Sequence, residues 1–95
     1  MTKSEKKAQL NKMIAEFLTT NDTEVLTQLR NDIYNQINKL PMSSNDRNNI
    51  EEAMYLWNYN SDRYIENPKN ATVKTSLMAD FEAIVKTVDI SLLSN

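Results

Sequence analysis

The 95-residue chain contains no glycine. Glycine is the default residue wherever the backbone takes a positive φ, and the tight turns of β-hairpins depend on it. A chain without it is a poor candidate for a β-sandwich, a barrel or a nucleotide-binding α/β fold. Helices need no such residue in their interiors. Proline, the other strong interrupter, occurs only at Pro41 and Pro68 and divides the chain more clearly than any other feature. The class these absences leave is all-α.

Four segments carry helical periodicity, and each has a start signal. In the first, Thr2 and Glu5 have capping-box spacing, and Leu10, Met13, Ile14, Phe17 and Leu18 form one apolar stripe. The second opens at Asn21-Asp22-Thr23-Glu24, with Asn21 as the expected N-cap and Glu24 at N3. Leu26, Leu29, Ile33, Ile37 and Leu40 follow at spacings of three and four. Pro41 disfavours helical geometry at Leu40 and stops the helix there. The third opens at Ser43 or Ser44 and places Ile50, Ala53, Met54, Trp57, Ser61, Tyr64 and Ile65 inward, up to Asn67 and Pro68. Residues 58–62, Asn-Tyr-Asn-Ser-Asp, are poor helix formers, so the sequence admits a kink there. The fourth opens within Asn70–Thr72 and aligns Val73, Leu77, Phe81, Ile84, Val88 and Leu92, with Met78 and Val85 widening the stripe. The expected helices are thus roughly 3–19, 22–40, 44–66 and 72–93.

Connections of a few residues place successive helices side by side and antiparallel. The expectation is a single helical domain over residues 1–95, an up-down-up-down four-helix bundle. Two helical hairpins from two chains would close the same stripes, which makes a homodimer the rival architecture.

Composition then removes most chemistry. Cysteine and histidine are absent, so there are no disulfides, no thiolate or imidazole metal ligands, and no triad with an imidazole base. Glu51 and Glu52 are the only adjacent acidic pair, and neighbours on a helix point about 100° apart and share no site. Asp46 and Asn48 lack the turn glycine and closing glutamate of a calcium loop. No glycine loop can cradle a phosphate. The expected protein is not an enzyme and holds no cofactor or metal.

The charges nearly balance, at 11 basic against 13 acidic residues. A duplex-binding domain draws its affinity from a basic excess, so nucleic acid is not the expected partner. No apolar run approaches the ~20 residues of a membrane span, and MTKSEKKAQLNK lacks the apolar core of a signal peptide. The chain reads as a cytoplasmic protein.

Two surface features remain. Lys3, Lys6, Lys7 and Lys12 gather at the start of the first helix, and Lys3, Lys6 and Lys7 could touch an anionic surface. Glu5 and Glu16 partly offset them, and no aromatic side chain interleaves them for stacking on bases. The second feature is an aromatic cluster over residues 55–64. Trp57 and Tyr64 fall on the inward face. Tyr55, Tyr59 and Arg63 recur at i, i+4 and i+8 on the opposite face, with Leu56 at its rim. Tyrosine and arginine are enriched at the energetic centres of protein interfaces, so Tyr55, Leu56, Tyr59 and Arg63 are the candidate partner-binding residues.

A small helical protein without chemistry and with one outward aromatic face is expected to bind another protein, as an inhibitor, antagonist or adaptor of bacterial or phage type. In length and four-helix layout the chain also resembles the immunity proteins of pediocin-like bacteriocins, and that resemblance implies a role in guarding a bacteriocin producer. A small nucleic-acid-associated regulator, built on the lysine patch and on dimerisation, is the third reading.

Overall fold

The computed structural model describes residues 2–94, and the side chains of all of these except Lys3 and residues 91–94. It is all-α: helices α1 (Lys3–Thr19), α2 (Thr23–Asn38), α3 (Ser44–Glu66) and α4 (Ala71–Ser94), with no strand among the described residues. Successive helices pair as two antiparallel hairpins, α1 with α2 and α3 with α4. The chain divides into two compact units accordingly, Met1–Leu40 and Pro41–Asn95. The fold class and helix order are those the periodicity predicts.

In the first unit, Thr2 caps α1: its hydroxyl accepts from the Glu5 backbone N–H at 3.1 Å and donates to the Glu5 carboxylate at 3.2 Å. Leu10, Ile14 and Phe17 are buried, while Met13 and Leu18 flank them half-buried. The cap of α2 is Asp22 and not Asn21. The Asp22 carboxylate accepts from the backbone N–H groups of Glu24 and Val25 at 2.9 and 3.3 Å. Both residue types cap well, but here the Thr20 hydroxyl accepts from the Asp22 N–H and holds the turn one residue later than expected. Leu26, Leu29, Ile33, Ile37 and Leu40 are all buried. Regular α-helix ends at Asn38, two residues before the expected stop. Leu40 N–H donates to the Ile37 carbonyl, so the last turn tightens ahead of Pro41.

In the second unit, Ser43 caps α3 by accepting from the Asp46 N–H at 3.2 Å. The helix then runs unbroken for 23 residues, through the segment where the sequence admits a kink. Packing explains the difference. Trp57, Ser61 and Tyr64 are fully buried around that segment. Ser61 satisfies its hydroxyl inside the helix, donating to the Asn58 carbonyl at 3.0 Å. Asn60 reaches across to α4 and donates to the Asp80 carboxylate at 2.6 Å. Tertiary contacts of this kind override weak helix propensity.

Asn70 starts α4, its side-chain oxygen accepting from the N–H groups of Thr72 and Val73. Val73, Leu77, Phe81, Ile84 and Val88 are buried. The Phe81 ring meets Trp57 edge-on, with centroids 5.9 Å apart. Val85 is half-buried, but Met78 is 51% exposed and does not widen the stripe. Met78 lies a single residue beyond buried Leu77, about 100° around the helix from the face that packs on α3. The inward position Leu92 lies outside the described side chains.

Candidate protein-binding surface

The inward face of α3 fixes where its outward face points. Ile50, Met54, Trp57, Ser61 and Tyr64 are buried, and residues on the far side of the same helix must face away from that packing. Tyr55 is 76% exposed, Tyr59 60% and Leu56 55%, the three most exposed large apolar side chains of the described residues. Arg63 is also exposed. The sequence-predicted strip is thus one continuous outer ridge. From Tyr55 to Arg63 it spans about 12 Å at the usual rise per residue.

One side-chain contact orders its C-terminal end. The Arg63 guanidinium carbon lies 5.5 Å from the centre of the Tyr59 ring, within cation–π range. At an exposed site such a contact contributes about 0.5–1 kcal/mol, enough to bias both rotamers. The Arg63 carbonyl also accepts from the Asn67 N–H at the helix end, where a cationic side chain complements the helix dipole. Carboxylates surround the ridge: Glu51, Glu52, Asp62 and Glu66 are all exposed. Those of Glu52 and Glu66 make no hydrogen bond or ion pair among the described residues. Tyr64, on the opposite face, is shielded, and burial pushes its phenol above the ordinary tyrosine range.

The lysine cluster is less open than the ridge. Lys6 and Lys7 are half-buried and Lys7 is engaged by a neighbour, whereas Lys12 is exposed. The Lys3 side chain lies outside the described residues. Among the described residues no three acidic side chains converge in a way that could hold a metal ion, and no helix is long and apolar enough to cross a membrane.

The periodicity of the chain gives no sign of one concavity. Gln9 and Met13 of α1 face Asp32, Asn35, Gln36 and Lys39 of α2 across an open groove of about 220 Å³. Gln28 donates to Asp32 at its edge. Periodicity within one helix carries no information about which flank of a neighbour it meets, so this groove had no signal in the chain.

Comparison of the chain with protein-family models, with curated proteins and with solved structures returns no match in any of the three.

Proposed function

We propose that this protein acts by binding another protein, as an inhibitor, antagonist or adaptor without chemistry of its own, and that the outer ridge of α3 is the centre of its binding surface. The observation that carries this reading is the exposure of Tyr55, Leu56 and Tyr59 in one row, continued by Arg63 stacked on Tyr59. Two tyrosines bring large contact area with few rotatable bonds, and the guanidinium adds a forked donor. A ridge of this length supplies the hot spot of an interface and not all of it, since a standard interface covers about 800 Å² on each partner. Flanking positions on α3 complete the rim.

Differential capture tests the reading. Immobilised wild-type protein and the Tyr55→Ala/Tyr59→Ala variant are exposed to the same lysate of the source organism. A protein retained by the first and lost from the second is the expected result. Identical retained sets on both would remove the ridge from consideration.

A further inference from the structure

The ridge has a charge signature of its own. Helix α3 carries the five acidic residues Asp46, Glu51, Glu52, Asp62 and Glu66 against only Arg47 and Arg63, an acidic excess larger than that of the whole chain, whose net charge is −2. Helical geometry sorts these charges. Glu52 stands one turn before Tyr55, and Glu66 stands two turns after Tyr59, both on the outer face. Asp62 and Glu51 border the same face. The single cation within it, Arg63, lies over the Tyr59 ring. Tyr55, Tyr59 and Leu56 therefore form an apolar row between Glu52 and Glu66, whose carboxylates make no hydrogen bond or ion pair among the described residues.

We infer that the partner segment is a basic amphipathic helix, which lays its apolar stripe on Tyr55, Leu56 and Tyr59 and brings lysines or arginines against Glu52 and Glu66. This rests on the ridge being a binding surface, and adds the chemistry of what it binds. An apolar row with acidic margins discriminates by charge: a partner with acidic margins would set like charges together, whereas a basic one is both steered and held. A helix suits the ridge because apolar side chains at spacings of three and four match its row of projecting rings. A second copy of the chain is a poorer occupant of this face through its own α3, because each copy would present the same carboxylates to the other.

The test uses the full chain and two synthetic helical peptides of about 18 residues, one of leucine and lysine and one of leucine and glutamate. Fluorescence anisotropy of each labelled peptide is followed at about 50 mM and about 300 mM salt, a range over which the reach of charge interactions shortens about 2.5-fold. The leucine–lysine peptide binds, and the leucine–glutamate peptide binds at least tenfold more weakly. Glu52→Gln with Glu66→Gln weakens the leucine–lysine complex at least fivefold and flattens its salt dependence. Glu16→Gln with Glu82→Gln, which changes net charge equally at exposed positions on other helices, leaves it unchanged. Equal affinity for the two peptides, or equal effects of the two glutamine pairs, overturns the inference. So does a concentration-dependent dimer of the chain alone that Tyr55→Ala/Tyr59→Ala abolishes, because the ridge is then covered by a second copy. Failure of the underlying reading looks different: Tyr55→Ala/Tyr59→Ala leaves peptide binding intact, whatever the glutamines do.

Discussion

Trp57 is fully buried, yet its Nε1–H donates to nothing among the described residues. A buried donor without a partner costs about 1–3 kcal/mol, and this cost is set against the packing of the largest side chain in the core. The two can be separated. Trp57→Ala leaves a cavity beside Phe81 and is expected to cost about 3–5 kcal/mol, a large share of the roughly 5–15 kcal/mol available to a domain. Trp57→Phe gives up some area but also removes the orphaned donor, so its expected cost stays below about 1.5 kcal/mol. Urea denaturation of both variants measures the split; a Trp57→Phe loss well above about 1.5 kcal/mol would mean that the indole N–H finds a partner. Tyr64, two helical turns further along the same face, makes a pH prediction. Its phenol titrates higher in the folded than in the unfolded chain because burial disfavours the phenolate. Above about pH 10 the unfolded chain loses this proton first, so its contribution to stability is complete below that pH and is lost as pH rises further. The alkaline fall in denaturation midpoint is expected to be shallower in Tyr64→Phe than in the wild type. Parallel pH curves would show that Tyr64 does not contribute.

At the level of the helices, most boundaries were legible in the chain and the exceptions have specific causes. The limits of α3 could be read to within about a residue, because Ser43 or Ser44 at one end and Pro68 at the other bracket the stripe. Its continuity could not, since Asn58, Asn60 and Ser61 have low helix propensity and the compensation comes from Asp80 on another helix and from burial of Ser61. Asn21 and Asp22 are equally good caps by type, and only the Thr20 hydroxyl bond decides between them. That difference is measurable. Asp22→Ala removes two bonds to the first turn of α2 and is expected to cost about 0.5–2 kcal/mol. Asn21→Ala is expected to change stability by less than about 0.5 kcal/mol, as surface substitutions away from such features do. Thermal unfolding of the two variants checks this, and the reverse order would return the cap to Asn21. The misjudged width of the α4 stripe at Met78 has a similar origin: periodicity finds the centre of a buried face, and its edges depend on the neighbour.

For the whole molecule, the chain is legible mainly as a set of exclusions and one surface. The lack of glycine, cysteine and histidine limits it to helices without thiol or imidazole chemistry, and the α3 ridge was visible as the face opposite Ile50, Met54 and Trp57. The stacking of Arg63 on Tyr59 was not, because side-chain rotamers leave no trace in spacing. The ridge is proposed to recognise a partner while contributing nothing essential to the fold. This is tested most directly by measuring the melting temperature of Tyr55→Ala/Tyr59→Ala and titrating it against the captured partner beside the wild type. The expected result is a melting temperature within a few degrees of wild type and affinity weakened at least tenfold, about 1.4 kcal/mol. Unchanged affinity, or a fold that collapses on losing the two rings, would contradict it.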